Sequence, residues 1–163
     1  AGTHALNDAL QDYYGRGEPA LTLREQAGGS TPHRLIVDDR VMQTKNDYDR
    51  GLFNGDIGRV RAIDEEAETA LIEFDGRVHD LDTKALSAVR LAYAVTIHKS
   101  QGSEFPAVVI PLLGEFEVML RRNLLYTAIT RAQRLCVLVG ESPAIARAIR
   151  RSDAARRFTN LAD

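Results

Sequence analysis

Two short stretches of the sequence carry side chains that could act on a phosphate. The first, TIHKSQGSEF at residues 96–105, follows an apolar run and holds a histidine, a lysine, two serines, an amide, a glycine and a carboxylate. Gly102 would let the backbone approach a phosphate closely, Thr96 and Ser100 offer hydroxyls, and Lys99 adds a point charge. A polar surface loop whose glycine serves a turn is the competing interpretation.

The second stretch is RNLLYTAITRAQRL at residues 122–135. Its apolar residues recur at helical spacing around Leu125, which predicts a helix over 116–133 with one buried stripe. Arg131 and Arg134 then lie on a polar face where a ligand could lie. Two solvated arginines, which are common on helices, are the alternative for this face.

Composition predicts an ordinary globular chain with a local charge imbalance. With 163 residues, 44% of them apolar, the chain can bury one core, or one core with a small insertion. The net charge is −2, yet residues 35–82 hold 13 acids against 6 bases, whereas residues 121–157 hold 9 arginines against 2 acids. Such a basic segment can meet phosphate even in a mildly acidic molecule, although a solvated helix surface explains it equally well.

The single cysteine and the absence of long apolar runs narrow the class of protein. Cys136 cannot form a disulfide within these 163 residues. A single cysteine also excludes most kinds of metal site, so no metal site is expected. No apolar run of membrane-spanning length and no secretory leader occur in the sequence. A cytoplasmic location without membrane contact is therefore expected.

The C-terminal half has the pattern of an α/β fold. Apolar strands alternate with amphipathic helices, which predicts a mostly parallel sheet covered on both faces. The predicted order is strand 89–96, polar loop 97–106, strand 107–113, helix 116–133, strand 135–140 and helix 143–151. In open α/β sheets ligands bind beyond the carboxyl ends of the strands, and the polar loop is expected there because it follows a strand.

Residues 35–88 have a different pattern, of short strands separated by tight turns. Asp75-Gly76 is a good two-residue hairpin signal, and Asn54-Gly55 marks a second turn. The pattern predicts a small antiparallel β-barrel or meander inserted into the α/β domain. Ahead of it, a helix is followed by a loop over 15–34, and the apolar stripe of the helix consists of Ala5, Leu6, Ala9, Leu10 and Tyr13.

Two of these segments resemble signature motifs of superfamily 1 DNA helicases. AYAVTIHKSQGSEFPAVVIPL is similar to motif V and LLYTAITRAQRLCVLVG to motif VI of the RecD-like branch, which includes the helicase parts of conjugative TraA-type relaxases. DDRVMQTKNDYDRGLFNGDIGRV resembles the start of the inserted Src-homology-type barrel of that branch. The resemblance covers roughly residues 35–140. It implies a second RecA-like motor domain over 1–34 and 89–163, with the barrel at 35–88.

The resemblance implies roles for the side chains that face the nucleotide. Arg131 would be an arginine finger for the γ-phosphate of ATP bound to a neighbouring domain. Gln101 and Gly102 would approach the triphosphate, and Glu104 would accept a hydrogen bond from the ribose.

The same resemblance implies contacts with single-stranded DNA. The DNA backbone would be contacted by Thr96, His98, Lys99 and Ser100. One loop would therefore contact both the nucleotide and the DNA. The motifs do not distinguish DNA from RNA as the bound strand, because contacts with the backbone do not read bases. Translocation from 5′ to 3′ is implied by the family alone.

The sequence lacks the phosphate loop of such enzymes. No G-x-x-x-x-G-K-[ST] motif occurs, so ATP and Mg²⁺ would be bound mainly by an N-terminal motor domain of the same polypeptide, and this segment alone would not hydrolyse ATP. The acidic run at 64–67 fits a charged hairpin loop better than a magnesium box. Partner subunits from DNA repair or conjugation are left open by the sequence.

Two other classes of function compete with the motor interpretation. One is a non-catalytic module that binds nucleic acid or protein, although an aromatic content of 6% without tryptophan is poor for base stacking. The other is a degenerate helicase-like domain kept as a scaffold. The intact TAITRAQ segment argues against degeneration, because a scaffold has no need of an arginine aimed at a phosphate.

Overall fold

The computed structural model describes residues 2–15, 20–23, 33–114 and 121–151. The chain divides into two compact units, Ala1–Thr96 and Ile97–Asp163. No helix in the described ranges is long and apolar enough to span a membrane.

The first unit contains two helices and seven strands within its described residues. They are α1 (Thr3–Tyr14), β1 (Ala20–Leu23), β2 (His33–Ile36), β3 (Arg40–Gln43), β4 (Ile57–Asp64), β5 (Thr69–Phe74), β6 (Arg77–Leu81), α2 (Thr83–Leu86) and β7 (Val89–Leu91). β1 and β2 form an antiparallel pair, although residues 15–34 were predicted to be a loop. That prediction is wrong for residues 20–23 and 33–34. Apart from Gly15, the other residues of the predicted loop lie outside the described residues.

A five-stranded antiparallel sheet occupies the region predicted as a barrel or meander. Its order is β6-β5-β4-β3-β7, and no pairing among the described strands closes it into a barrel, so the barrel is not confirmed. Its apolar core is centred on Val41, Val60 and Ile72, all inaccessible to solvent. β5 and the first half of β4 bury alternate residues, as the two-residue period of a strand requires, whereas β3 buries three consecutive residues.

The predicted turns in this region are confirmed. Asp75 and Gly76 join β5 to β6 with φ of 46° and 74°, as a turn with two positive-φ positions requires. The acidic run at 64–67 is a hairpin connection, in which the Asp64 carboxylate accepts a hydrogen bond from the Ala67 amide. By contrast, Thr83–Leu86 is a helical turn capped by Asp82 and not one more strand.

Helix α1 lies where it was predicted, but its buried face is different. Of the residues expected to face the core, Ala5, Ala9 and Tyr13 are exposed and Leu6 and Leu10 are half-buried, whereas Asn7 is only 8% exposed. The reason is a pair of hydrogen bonds at 2.9 Å, in which Asn7 donates to the Ala94 carbonyl and accepts from the Ala94 amide. Polar bonding to a distant backbone segment thus decides which face is buried.

The strand predicted over 89–96 is shorter and belongs to a different sheet. β7 ends at Leu91 and pairs antiparallel with β3 at the edge of the five-stranded sheet. Residues 92–96 form no strand. The prediction of one parallel sheet that includes 89–96 is therefore wrong, because the apolar run is used by the neighbouring antiparallel unit.

The second unit contains a parallel strand pair and two helices in its described residues. They are β8 (Phe105–Leu112), α3 (Arg122–Ile129), β9 (Ala132–Gly140) and α4 (Ser142–Arg150). Ile110 and Leu112 pack with α3 and α4 around Ala144 and Ala148. Val109, on the opposite face of β8 from Ile110, is 64% exposed. The helices therefore cover one face of the described pair, whereas the sequence predicted cover on both faces.

Helix α3 ends four residues before the predicted boundary at 133. Thr130 caps it with αR geometry, and the Thr130 amide bonds to the Tyr126 carbonyl. Residues 132 and 133 already belong to β9, because the ladder with β8 begins there. Of the predicted helix, residues 116–120 lie outside the described residues, as does the C-terminal segment 152–163.

Candidate nucleotide and DNA interface

The junction between α3 and β9 fixes the backbone of Arg131 on both sides. The Arg131 amide donates to the Ala128 carbonyl at 3.2 Å, and the Arg131 carbonyl accepts from the Phe105 amide at 2.8 Å. The first bond closes the helix, and the second opens the parallel ladder. The root of this side chain is therefore held by two elements at once.

Within the described residues, the guanidinium of Arg131 donates hydrogen bonds to neutral oxygens only. Nε lies 3.2 Å from the Thr127 carbonyl, Nη1 lies 3.2 Å from the Ser103 carbonyl, and Nη2 lies 3.3 Å from Thr130 Oγ1. The side chain is half-buried, and among the described residues it forms no ion pair with a carboxylate. Its positive charge is thus oriented and remains available to an anion.

The polar stretch 97–102 consists of consecutive turns. The Gln101 amide donates to the His98 carbonyl at 3.4 Å, and the Ser103 amide donates to the Ser100 carbonyl at 3.1 Å. Gly102 occupies the third position of the second turn with φ of +85°, which favours glycine there. These turns bring the backbone of Ser103 to the guanidinium of Arg131.

This polar stretch lies at the opposite end of the strands from the predicted one. It precedes β8, and Arg131 precedes β9, so both are at the amino ends of a parallel pair. The expectation of a loop at the carboxyl end of a strand is wrong because residues 92–96 form no strand of this sheet. The clustering of loop and arginine follows from the parallel register, since Phe105 is paired with Ala132.

The predicted residues differ in what the structure leaves accessible. His98, Lys99, Gln101, Gly102 and Glu104 are exposed. Ser100 is 6% exposed, and its hydroxyl donates to the Ile97 carbonyl at 2.8 Å, inside the turn. Thr96 is exposed and is the last residue of the first unit, whereas the other predicted site residues belong to the second.

Gln133 is a neighbour of the site that sequence reasoning missed. Its Nε2 donates to Glu104 Oε2 at 3.2 Å, so that the side chains before β8 and at the start of β9 are joined. The assignment of residues 132 and 133 to a helix concealed this contact. An assignment to a strand would have shown it, because residues at the same ends of two parallel strands face each other.

A second polar network, also missed, holds the segment that leads to Thr96. Asp39 is inaccessible to solvent and accepts hydrogen bonds from Gln11 Nε2 at 2.6 Å, the Ile36 amide at 2.9 Å and Tyr93 Oη at 2.8 Å. Burial raises the pKa of the Asp39 carboxyl, although the three donors oppose that shift. Burial and the bond to Asp39 raise the pKa of Tyr93, which keeps its hydroxyl a donor at neutral pH.

Two known protein families match the chain. The UvrD-like helicase C-terminal domain matches residues 91–139, which contain the turns and Arg131. The SH3 domain of ATP-dependent RecD-like DNA helicases matches residues 6–74, which run from α1 to the end of β5. The second match begins upstream of the boundary at 35 that the sequence predicted.

Curated relatives include a RecD2 DNA helicase and RecD subunits of the RecBCD enzyme. The chain is 39% identical over 132 residues to the ATP-dependent RecD2 DNA helicase of Deinococcus radiodurans, covering 81% of the chain and 17% of that protein. It is 37% identical over 158 residues to the RecBCD enzyme subunit RecD of Mycolicibacterium smegmatis, covering 97% of the chain and 27% of that protein. The chain thus spans about a sixth to a quarter of the length of these relatives.

A solved structure has the same fold. The Pif1 helicase from Bacteroides, in complex with ADP-AlF3 and single-stranded DNA, superposes with a TM-score of 0.65 at 22% identity. The match covers 91% of the chain and 40% of that protein. The fold and the two family matches define the class as superfamily 1 DNA helicases.

Within that class the chain belongs to the RecD-like family of DNA helicases. It comprises the family's SH3 domain and its helicase C-terminal domain, the second RecA-like motor domain. The resemblance of residues 35–140 to this family is therefore confirmed. The predicted domain boundaries and the roles of individual site residues are not tested by these matches.

Proposed function

We propose that the chain is the nucleotide-sensing and DNA-gripping half of an ATP-dependent DNA helicase, in which Arg131 is the arginine finger. The observation that carries this proposal is the Arg131 guanidinium, which is fixed by three neutral oxygens and forms no ion pair among the described residues. An arginine finger stabilises charge on the transferred phosphoryl group only if its own charge is not already neutralised.

The neighbouring turn supplies the other nucleotide contacts in this proposal. Gln101 and Gly102 approach the triphosphate, and Glu104 accepts a hydrogen bond from the ribose. Their backbone is tied to Arg131 through the Ser103 carbonyl, so finger and turn move as one body. These residues would form one wall of an ATP site, and a domain outside this chain would form the other wall.

Magnesium is assigned to that other domain. The described ranges contain no group of three or more His, Cys, Asp or Glu side chains arranged to hold a metal ion. In the assembled site Mg²⁺ would supply positive charge beside the phosphates. This chain would contribute Arg131 and the 101–104 turn to the nucleotide site, without holding the metal.

Contacts with single-stranded DNA are assigned to Thr96, His98 and Lys99, which are exposed. Ser100, also predicted to touch DNA, supports the turn instead of offering a free hydroxyl, because it donates to the Ile97 carbonyl. Its contribution to DNA binding in this proposal comes from its backbone. ATP binding and release at the turn would then alternate the grip on DNA, with translocation from 5′ to 3′.

The test is ATP hydrolysis by the full-length protein with Arg131→Ala. We expect kcat, measured with saturating single-stranded DNA, to fall by about three decades or more, because fingers of this kind contribute 10³–10⁵. Arg131→Lys should also fail, since a lysine cannot reproduce the fork of donors. Arg122→Ala, at an exposed arginine at the start of α3, is the matched control and should hydrolyse ATP normally.

The competing function is a non-catalytic module that binds nucleic acid or protein. The acidic balance of residues 35–82 favours it for the five-stranded sheet, since 13 acids against 6 bases oppose extensive contact with phosphate. If Arg131→Ala leaves the rate of hydrolysis unchanged, this alternative is correct and the motor assignment is wrong.

A further inference from the structure

Three tyrosines of the first unit form a contiguous aromatic surface. The rings of Tyr13 and Tyr14 meet edge to face with centroids 5.0 Å apart, and Tyr14 stacks on Tyr93 at 6.1 Å with an interplanar angle of 11°. Tyr13 is 68% and Tyr14 is 63% exposed. Large exposed aromatic rings in mutual contact mark a surface that binds something.

A buried polar network holds these rings in place. Tyr93 is tied by its hydroxyl to Asp39, and Gln11 of the tyrosine-bearing helix donates to the same carboxylate. Asn7 fixes the helix to the Ala94 backbone by two hydrogen bonds. The aromatic surface is therefore preorganised, and a ligand that stacks on it pays little to order it.

The charges near this surface suit a negatively charged strand that makes few phosphate contacts. Arg40 and Arg59 lie directly opposite each other across β3 and β4, and both are exposed. Like charges in that position are unfavourable unless an anion relieves them. Asp38 Oδ1 is 3.6 Å from Arg59 Nη1 and offsets part of this charge. The Arg40 carbonyl accepts a hydrogen bond from the amide of Ala92, the residue before Tyr93.

We propose that Tyr13, Tyr14 and Tyr93 form a stacking surface for the bases of single-stranded DNA, with Arg40 and Arg59 beside it for the phosphates. Bases stack on aromatic rings without regard to sequence, which suits a strand that moves. The choice of DNA as the ligand rests on the proposed function; the stacking surface itself rests on the rings and the two arginines. Exposed Asp8 and Asp12 on the same helix limit phosphate contact, so stacking carries most of the affinity.

The test compares two oligonucleotides of about 15 nucleotides, a length within the range that single-strand binding folds occupy. One carries bases and the other is an abasic sugar-phosphate chain of the same length. Their binding to the full-length protein without nucleotide is measured by fluorescence anisotropy. We expect Tyr13→Ala/Tyr14→Ala to weaken binding of the base-bearing strand about tenfold, the effect of losing one to two stacked bases. Binding of the abasic strand should not change.

Three further variants control for misfolding. Tyr14→Phe keeps the ring and should bind like the wild type, whereas Tyr14→Leu keeps apolar bulk without a ring and should lose affinity for the base-bearing strand. Tyr48→Ala removes a 76% exposed tyrosine elsewhere in the same unit and should have no effect.

Two results would overturn the stacking surface. One is unchanged binding of the base-bearing strand by the double variant, as when another protein segment covers the rings. The other is equal weakening of both strands, which would indicate a fold defect. Failure of the motor assignment is distinguishable, because Arg131→Ala is measured by ATP hydrolysis and should bind both strands like the wild type.

Discussion

Gly102 illustrates how a single residue can control the candidate site. Its φ of +85° costs an L-amino acid with a side chain steric strain, yet a Cβ at this position would meet no atom within 4 Å. Any effect of a substitution therefore arises from backbone conformation and not from a clash. The turn that it closes carries Ser103, whose carbonyl receives Arg131 Nη1.

Gly102→Ala should weaken catalysis by shifting this turn. We expect a loss of about 1 kcal/mol in the free energy of unfolding, the cost of the left-handed region for alanine, together with a lower kcat/KM for ATP in the full-length protein. Gly51 is the matched control, since its φ is +67° and a Cβ there also meets nothing within 4 Å.

Gly51→Ala should show the same loss of stability, measured by urea denaturation, with ATP hydrolysis unchanged. Equal kinetic effects of the two variants would show that the conformation of the 100–103 turn has no special role.

Among the elements, those governed by local signals were predictable and those governed by distant contacts were not. The short strands and tight turns of residues 35–88 predicted an antiparallel arrangement, and Asp75-Gly76 predicted the hairpin that follows β5, because both signals depend on neighbouring residues. The exposed apolar face of α1 was not predictable. Its orientation depends on Asn7 and Ala94, which are 87 residues apart in sequence.

The site shows the same division. Arg131 and the turn at Gly102 were identified from residue type and spacing, and the structure brings them together through the Ser103 carbonyl. Helical periodicity predicted that α3 continues through residue 133. In the structure, the Phe105 amide donates a hydrogen bond to the Arg131 carbonyl and a strand begins there. Tertiary hydrogen bonding overrode local propensity at that point, which hid the contact between Gln133 and Glu104.

The hydrogen bonds that orient α1 give a prediction for stability. Asn7→Ala leaves the amide and the carbonyl of Ala94 without their side-chain partner in a part-buried position. We expect the free energy of unfolding of the first unit to fall by about 1–3 kcal/mol, the usual cost of unsatisfied polar groups. Asp8→Ala, at an exposed neighbour on the same helix, should change it little.

Urea denaturation of the full-length protein, followed by a probe in the first unit, measures this difference. A similar midpoint for Asn7→Ala and the wild type would mean that the helix is oriented by other contacts.

At the scale of the whole molecule, the two units have different chemistry. The first is an antiparallel sheet with a buried carboxylate network, and the second is a parallel pair with an arginine at its amino end. The chain spans 17% and 27% of the length of two relatives, and we propose that polypeptide outside this chain completes the catalytic site. In our account this chain supplies the arginine and the turn.

The most direct test of that account is the transition-state complex of the full-length protein. ADP with aluminium fluoride mimics the transferred phosphoryl group, and analogues of a transition state bind at least about 10²-fold more tightly than substrates. With single-stranded DNA present, we expect the wild type to form a slowly dissociating complex and Arg131→Ala to form none, while both bind ADP alone with equal affinity. A stable complex in the Arg131→Ala variant would contradict the assignment of Arg131 as the finger.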